Sequence, residues 1–260
     1  MTTVRAKKGL GQHFLKDENI ACKIVDSLSY SDKYSNIIEV GPGMGVLTKY
    51  LLTKKDFNTF VIEVDKESVD YLQNNFPELG DRIIAADFLR YDLQELFKEP
   101  FAIIGNFPYN ISSQILFKAL ENKNLVPEIV GTFQLEMAQR IAASPNNKTY
   151  GILSVFLQAY YTIEYLFTVN ETVFSPPPKV KSAVVRLTRN DVQSLDCDEK
   201  LFFKIVKTTF NQRRKMLRNT LKTFGDNIKY VNPEMLTKRP ENLTVDDFVQ
   251  ITRIISDGKI

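Results

Sequence analysis

A glycine-rich turn at residues 39–45 restricts the fold of this chain more than any other feature of its sequence. An apolar run, 36–40, ends in this turn, and 46–52 follows with helical character. Glycines at a junction between a strand and a helix let the backbone turn tightly and let a ligand lie directly against it. The turn therefore predicts a strand, a ligand-binding loop and a helix, in that order.

Short apolar runs alternate with helical segments through the first half of the chain. The predicted strands are 36–40, 59–64, 82–86, 101–104 and 129–135. The predicted helices among them are 20–28, 46–52 and 66–74. Strands that alternate with helices form a parallel sheet with helices on both faces. The sequence therefore predicts an α/β fold.

The pattern changes after residue 135. The β-rich runs 161–169 and 182–187 are separated by a loop with three consecutive prolines, which predicts an antiparallel pair appended to the parallel sheet. A polar, acidic linker follows, and the sequence after it is helical in character. We therefore predict two domains: residues 1–189, with a basic N-terminal arm and the sheet, and residues 190–260, a small helical domain.

Two cysteines and a single histidine limit the chemistry that this chain can use. Cys22 and Cys197 are far apart and form no C-x-x-C pair, so neither a disulfide framework nor a zinc site is expected, and the cytoplasm is the predicted location. A Ser-His-Asp triad or a His-rich metal site would have to be built around His13 alone. The most apolar later run, 151–161, is too short to cross a bilayer. We therefore predict a soluble protein without a metal site.

The spacing of the glycine-rich turn favours one class of ligand over another. Gly41, Gly43 and Gly45 follow a G-x-G-x-G pattern, whereas dinucleotide-binding loops use G-x-G-x-x-G. Pro42 removes a backbone N–H donor that a pyrophosphate would use and that a sulfonium amino acid, which carries no phosphate, would not. The loop therefore favours a nucleoside ligand of the second kind, with Gly41 and Gly43 against it. The alternative is an ordinary strand–helix turn.

Carboxylates at two predicted strand ends are candidate ligands for a nucleoside. Glu63 lies 18 residues after Gly45, close to the spacing at which a carboxylate accepts both ribose hydroxyls. Asp65 has the same side-chain parity, so the spacing does not choose between Glu63 and Asp65. Asp87 ends the third predicted strand, where it can accept a hydrogen bond from an adenine amine. Any one of these carboxylates alone would also be compatible with a solvated strand end.

The tetrapeptide Asn106-Phe107-Pro108-Tyr109 follows the fourth predicted strand and indicates the chemistry. An adenine amine is a poor nucleophile because its lone pair is delocalised into the ring. The side-chain oxygen of Asn106 and the backbone carbonyl of Phe107 would accept its two hydrogens and favour a more pyramidal nitrogen. Pro108 would fix the loop, and Tyr109 would stack on the base. The alternative is an ordinary Asn-x-Pro turn after a strand.

A basic stretch marks the predicted helical domain. The net charge of the chain is only +3, but no acidic residue occurs between Lys200 and Gly225. The cations that share this stretch with apolar residues are Lys204, Lys207, Arg213, Arg214, Lys215, Arg218 and Lys222. Such a surface suits the phosphates of a structured RNA, and a solvated helix face is the alternative. A second contact is predicted at the arm cations Arg5, Lys7, Lys8 and Lys16.

Five blocks resemble the KsgA family of ribosomal RNA adenine dimethyltransferases, in family order and across nearly the whole chain. They are 11–15 (GQHFL), 39–43 (EVGPG), 105–112 (GNFPYNIS), 173–180 (VFSPPPKV) and 210–215 (FNQRRK). The resemblance implies a seven-stranded, Rossmann-like class I methyltransferase domain followed by a small C-terminal α-helical domain.

The resemblance also implies roles for individual residues. The cofactor, S-adenosylmethionine, would be contacted by His13, Leu15, Gly41, Glu63, Asp87 and Asn106. Phe174 would help to hold a flipped base against Tyr109. Two positions depart from the family pattern, since His13 stands where the family often has Asn and Phe107 replaces a usual Leu. The cofactor contact of His13 is therefore expected from its backbone. The backbone carbonyl of Phe107 is still expected to accept a hydrogen bond from the adenine amine, because this role does not depend on the side chain.

The implied reaction places two methyl groups on N6 of each of two adjacent adenosines near the 3′ end of 16S ribosomal RNA. The enzyme would act as a monomer on the assembling 30S subunit, and the base would leave its stack to be methylated. The alternatives are an Erm-type enzyme for 23S ribosomal RNA, a DNA adenine methyltransferase, and an assembly factor with incidental catalysis. Block 210–215 and the triple proline favour KsgA over Erm, and the small C-terminal domain argues against a DNA reader.

Overall fold

A seven-stranded sheet organises the computed structural model, which describes residues 4–257. The strands of this sheet and of a second, two-stranded sheet are β1 (Phe14–Leu15), β2 (Asn36–Val40), β3 (Asn58–Glu63), β4 (Ile83–Ala85), β5 (Phe101–Asn106), β6 (Glu128–Gln134), β7 (Tyr161–Val169), β8 (Phe174–Ser175) and β9 (Ser182–Arg189). The large sheet has the order β4-β3-β2-β5-β6-β9-β7. The five strands β4, β3, β2, β5 and β6 pair with one another in parallel, and β9 is antiparallel to β6. The predicted α/β class is confirmed.

Helices connect the strands and make up most of the C-terminal part. They are α1 (Glu18–Val25), α2 (Thr48–Leu51), α3 (Lys66–Asn75), α4 (Leu93–Leu96), α5 (Ser112–Glu121), α6 (Leu135–Ile141), α7 (Ile152–Gln158), α8 (Glu199–Asn211), α9 (Leu217–Thr220), α10 (Pro233–Thr237) and α11 (Val245–Asp257). Between residues 4 and 257, none of the helices combines the length and the apolar character needed to cross a membrane.

Aspartates begin several of these helices. The side chain of Asp17 accepts a hydrogen bond from the backbone N of Ile20 at 3.0 Å and begins α1. Asp198 accepts from the backbone N of Lys200 and Leu201 at 2.8 and 3.1 Å and begins α8. Such side chains satisfy N–H groups that the first helical turn leaves without partners. The acidic stretch that the sequence indicates as a linker therefore also supplies the cap of α8.

The chain forms two compact units. Unit 1 contains the residues up to Ala138 together with Ile163–Arg189, and unit 2 contains Gln139–Thr162 together with the residues from Asn190 onward. The sequence indicates the division after Arg189, but it also assigns 139–162 to the first domain, whereas the structure groups this segment with unit 2.

The packing of α7 explains this difference. Its Leu153, Val155 and Phe156 are buried, so a helix of seven residues needs an apolar partner. Helix α8 supplies it, with the ring centroid of Phe156 lying 4.4 Å from that of Phe203 and 6.2 Å from that of Phe202. Sequence order alone does not show which later helix covers such a run.

The core of unit 1 fixes the ends of the parallel strands. Buried side chains of α1 and of the central strands form one cluster, which includes Ala21, Ile24, Val25, Ile37, Ala102, Ile104, Val130 and Val184. Strands buried on both faces are nearly continuous apolar runs, as 101–104 is here. Because this core is closely packed, the loops that begin at its strand ends have fixed starting points.

Phe107 anchors the loop after β5 in a slot between two glycines. Its ring is 1% exposed and meets the ring of Phe133 edge-on, with the centroids 5.4 Å apart. A Cβ added to Gly105 would lie 2.6 Å from the Phe107 ring, and one added to Gly131 would lie closer still. The ring of Phe107 therefore fills space that two glycines leave open.

Gly131→Ala should destabilise the protein, because its methyl group would overlap the buried ring of Phe107. We expect the free energy of unfolding, measured by urea denaturation, to fall by about 1–3 kcal/mol, the usual cost of overpacking a core. Adding Phe107→Leu should recover part of the loss because Leu is smaller. Gly9→Ala is the matched control, since its added Cβ would meet nothing within 4 Å. Equal stability of Gly131→Ala and wild type would contradict the close packing of the Phe107 ring against Gly131.

Candidate active site

A cleft lies at the edge of the sheet where the parallel strands end. Residues that follow β2, β3, β4 and β5 form its wall together with residues 10–14 of the N-terminal arm. The predicted site residues that line it are His13, Gly41, Gly43, Glu63, Asp87, Asn106, Pro108 and Tyr109. Open α/β sheets bind ligands at this edge.

The glycine-rich turn has backbone angles that favour glycine. Gly41 and Gly43 have φ values of 69° and 56°. A Cβ at Gly43 would lie 2.7 Å from the ring of Phe14, so the turn and the N-terminal arm approach each other too closely for a side chain. The backbone N of Gly41 donates to the carbonyl of Ile62 at 3.0 Å, which ties the turn to β3.

Glu63 is a buried carboxylate at the end of β3. It is 5% exposed and accepts hydrogen bonds from the backbone N of Gly43 at 3.1 Å and from those of Val64 and Asp65 at 2.9 Å each. Burial raises the pKa of Glu63 above its ordinary value, and the three N–H donors oppose this because they favour the charged form. The carboxylate is thus held in a fixed orientation at the cleft.

Asp65 has a different role, which resolves the choice that the sequence leaves open. Its carboxylate binds the ammonium group of Lys7 and lies 3.4 Å from the side-chain N of Gln12. Lys7 also pairs with Glu67 at 3.1 Å. Asp65 therefore fastens the N-terminal arm to the start of α3, and Glu63 is the carboxylate of this pair that lines the cleft. Lys7 is ion-paired within unit 1, and its predicted contact with RNA stays a prediction.

Asp87 lies on the cleft wall beyond β4, as the sequence predicts. One carboxylate oxygen accepts from the backbone N of Leu89 at 2.9 Å, and the other lies 3.5 Å from Nε of Arg90. The group is partly exposed, so it remains accessible to a hydrogen-bond donor from a ligand.

The amide of Asn106 is oriented by the N-terminal arm. Its Nδ2 donates to the backbone carbonyl of His13 at 2.8 Å. A carbonyl can only accept, so this bond fixes which end of the amide is nitrogen. The amide oxygen is thereby left available as an acceptor at the cleft. Asn106 is the last residue of β5, so the same side chain links the sheet to the arm.

Tyr109 is held at both its ring and its hydroxyl. The ring stacks on that of His13, with centroids 5.4 Å apart and an interplanar angle of 27°. Its hydroxyl oxygen lies 2.6 Å from Oγ of Ser182, which is fully buried at the start of β9. The sequence does not indicate Ser182, because a serine that begins a strand carries no local signal of a distant tyrosine.

Leu15 and Phe174 are predicted site residues that the structure places elsewhere. They are 4% and 1% exposed and belong to the core cluster of unit 1 rather than to the cleft wall. They face each other in the antiparallel pairing of β1 with β8. Neither residue is among those that line the cleft, and the stacking role of Phe174 that the resemblance implies stays a prediction.

Glu39 is a second buried carboxyl group beside the glycine-rich turn. It is 1% exposed, and Oγ1 of Thr48 donates to it at 2.5 Å. Burial raises the pKa of Glu39 to about 8, and the nearby charge of Glu63 adds to this effect. The group is therefore neutral in the folded protein over much of the physiological range, which the block 39–43 alone does not indicate.

The basic stretch of unit 2 is mostly exposed, with one exception. The exposed cations are Lys204, Lys207, Arg214, Lys215, Arg218 and Lys222. Arg213 is only partly exposed, and it pairs with Glu241 at 2.5 Å and donates to the backbone carbonyl of Lys148. Arg213 therefore connects three segments of unit 2, whereas its neighbour Arg214 projects into solvent.

The sequence matches a known family and close relatives. It matches the family described as "Ribosomal RNA adenine dimethylase" over residues 3–257. A relative from Flavobacterium johnsoniae, named Ribosomal RNA small subunit methyltransferase A, is 56% identical over 260 residues, which cover 99% of this chain and 99% of the relative. A relative of the same name from Cytophaga hutchinsonii is 54% identical over 256 residues, which cover 98% of this chain and 99% of the relative.

Two solved structures have a similar fold. A dimethyladenosine transferase from Plasmodium falciparum superposes with a TM-score of 0.78 at 23% identity, covering 92% of this chain and 96% of that chain. The 23S rRNA methyltransferase ErmE has a TM-score of 0.67 at 22% identity, covering 92% of this chain and 99% of that chain. The predicted class I methyltransferase fold is therefore confirmed.

Glu39 should make stability depend on pH. Its folded pKa of about 8 lies above the ordinary 4.5, so folding favours the protonated form. The stabilisation is complete below pH 4.5 and is lost as the pH rises toward 8, with a slope of at most about 1.4 kcal/mol per pH unit. Glu39→Gln keeps a neutral acceptor for Thr48. Between pH 4.5 and about pH 8, we therefore expect the free energy of unfolding of this variant, relative to that of wild type, to increase with pH.

Urea denaturation at a series of pH values measures this difference, and Glu99→Gln at an exposed position is the control. Parallel pH profiles for wild type and Glu39→Gln would mean that Glu39 is ionised in the folded protein.

Proposed function

This chain belongs to the ribosomal RNA adenine dimethylase family, and we propose that it transfers methyl groups from S-adenosylmethionine to N6 of two adjacent adenosines near the 3′ end of 16S ribosomal RNA. The family resemblance predicted from the sequence is confirmed by the match over residues 3–257. Relatives that are 54–56% identical bear the name small subunit methyltransferase A, which favours this substrate over the 23S RNA of the Erm-type alternative.

One observation carries the proposal. The oriented amide of Asn106 and the buried carboxylate of Glu63 line the same cleft, at the ends of β5 and β3. The first is an acceptor suited to an exocyclic amine, and the second is an acceptor suited to ribose hydroxyls. A turn that was merely structural would not need both acceptors in one cleft.

The residues of the cleft fit S-adenosylmethionine. Glu63 would accept from the ribose hydroxyls, and Asp87 from the adenine amine. Gly41 would allow a ligand to approach its backbone closely because it has no side chain, and a Cβ there would lie 3.8 Å from Pro108. S-adenosylmethionine supplies, when bound, a methyl group on a positively charged sulfur, so the protein need not activate it further.

The remaining task of the protein is to present the target nitrogen. The amide oxygen of Asn106 and the carbonyl of Phe107 would accept the two hydrogens of the amine and hold its lone pair toward the methyl donor. Pro108 restricts the loop, and Tyr109 would stack on the base. Catalysis of this kind depends on position rather than on a strong base. It explains how a chain with one histidine can perform the reaction.

Unit 2 is proposed to dock the RNA. Its exposed cations, six between Lys204 and Lys222, would neutralise phosphates of the small-subunit RNA in the assembling 30S particle. Arg213 is left out of this role because Glu241 already pairs with it. The enzyme is proposed to act as a monomer in the cytoplasm. An assembly factor with incidental catalysis would use the same cations, but it would not need the oriented amide of Asn106.

Asn106→Ala should strongly reduce the rate of methyl transfer, since it removes the side-chain acceptor for the target amine. We expect a loss of about 100-fold or more in single-turnover assays on immature small subunits at saturating S-adenosylmethionine, as for removal of one preorganised polar group in an active site. Particle binding should change little.

Asn74→Ala, at an exposed position on α3, is the control for this assay. A rate for Asn106→Ala within a few-fold of wild type would show that the tetrapeptide is only a turn. If the wild-type protein did not methylate the particle, the proposed function itself would be contradicted.

The double variant Arg214→Ala/Lys215→Ala should weaken binding to immature small subunits and reduce its salt dependence. The slope of log affinity against log salt should become shallower by about 0.7–0.9 for each phosphate that the variant no longer neutralises. Arg213→Ala should instead lower the stability of unit 2, because it breaks the interactions with Glu241 and Lys148. Filter binding across a salt series measures the loss of docking in the double variant. Calorimetry of S-adenosylmethionine binding is the control, because the cofactor affinity of the double variant should not change. An unchanged slope for the double variant would rule out docking by these cations.

A further inference from the structure

His13 makes three contacts, two with the proposed catalytic loop and one with the proline-rich loop before β9. Its backbone carbonyl accepts from Nδ2 of Asn106 at 2.8 Å. Its ring stacks on Tyr109, with centroids 5.4 Å apart. Its Nδ1 lies 2.7 Å from the carbonyl of Pro176, which can only accept, so this nitrogen carries the hydrogen. One residue of the arm therefore connects the loop after β5 to the proline-rich loop before β9.

The side chain of His13 adds something that its backbone cannot. The carbonyl orients Asn106 whatever side chain is present, but the stack on Tyr109 requires an aromatic ring. The ring contact therefore belongs to the side chain of His13, whereas the contact with Asn106 belongs to its backbone.

The stack restricts the motion of Tyr109. The hydroxyl of Tyr109 is fixed by Ser182 at 2.6 Å, and its ring is supported by His13 at an interplanar angle of 27°. The bond from His13 to Pro176 prevents the imidazole from turning away from this position. A ring held at its hydroxyl and at its face populates few orientations, and such preorganisation raises the rate of a reaction that depends on position.

We propose that the side chain of His13 is a positioning residue that acts through Tyr109, which rests on the proposed function of Tyr109 in holding the target base. This role differs from the cofactor contact that the family resemblance implies, because it concerns the base and not S-adenosylmethionine. It also assigns a purpose to the carbonyl of Pro176, which the proposed reaction does not otherwise use.

The first test compares His13→Asn with His13→Phe in single-turnover methylation of immature small subunits at saturating S-adenosylmethionine. His13→Asn loses the stack and should react about 2- to 13-fold more slowly, the factor expected for loss of one aromatic pair. His13→Phe keeps a ring and should stay closer to wild type. The dissociation constant for S-adenosylmethionine should be unchanged in both variants, since the backbone carbonyl is retained.

A double-variant cycle shows whether the effect passes through Tyr109. In a Tyr109→Ala background, His13→Asn should cause no further loss of rate. An equal loss in both backgrounds would overturn the proposal. So would a His13→Asn variant as fast as wild type, or faster, because the ring would then be a bystander or an obstacle to the base. A loss that appears only below saturating S-adenosylmethionine would make His13 a cofactor ligand instead.

A spectroscopic test separates this inference from the proposed function. The chain has no tryptophan, so Tyr109→Trp introduces a single fluorophore at the position in question. Time-resolved anisotropy should show a larger amplitude of nanosecond ring motion when His13→Asn is added, with no RNA present. Unchanged ring motion would overturn the positioning role even if the enzyme is active. Increased motion in a protein that does not methylate the particle would leave the positioning intact and reject only the function.

Discussion

The hydrogen bond from Asn106 to the carbonyl of His13 is the contact on which the rest of the cleft depends. It joins the last residue of β5 to an arm that lies more than ninety residues earlier in the chain. Loss of this bond would remove a polar contact between the arm and the loop after β5, and the amide of Asn106 would be free to turn. The ion pair of Lys7 with Asp65 holds the other end of the same arm against α3. The hydrogen bond at His13 and the ion pair at Lys7 therefore hold the N-terminal arm in place, where its residues 10–14 form one wall of the cleft.

The two buried carboxyl groups beside the glycine-rich turn, Glu39 and Glu63, receive different hydrogen-bond donors. Glu63 receives three backbone N–H donors, which support a charge at the cleft. Glu39 receives one hydroxyl donor, from Thr48, and the neutral form is favoured there. The nearby charge of Glu63 raises the pKa of Glu39 further, which favours the neutral form of Glu39. The two buried carboxyl groups beside the turn therefore differ in their donors, with three backbone N–H groups at Glu63 and one hydroxyl at Glu39.

Local patterns predict the parts of the fold that depend on local physics, and no more. The strand Asn36–Val40 has the predicted bounds, because an apolar run followed by a glycine turn has few alternatives. The choice between Glu63 and Asp65 is beyond the sequence, since it depends on Lys7 from a distant segment. The burial of Phe174 is equally beyond it, because a two-residue strand pairing with β1 leaves no periodic signal.

His13 and Phe107 both help to fix the loop after β5. Phe107 is fixed on the side of the sheet by a slot that Gly105 and Gly131 leave open. His13 and Ser182 hold Tyr109 from the arm and from β9. Pro108, between the two aromatic residues, has its own φ restricted by its ring. A loop with so little freedom suits a reaction in which the protein supplies no strong base, because orientation is then what lowers the barrier. The rings of His13 and Phe107 therefore add contacts that restrict this loop, as the proposed mechanism requires.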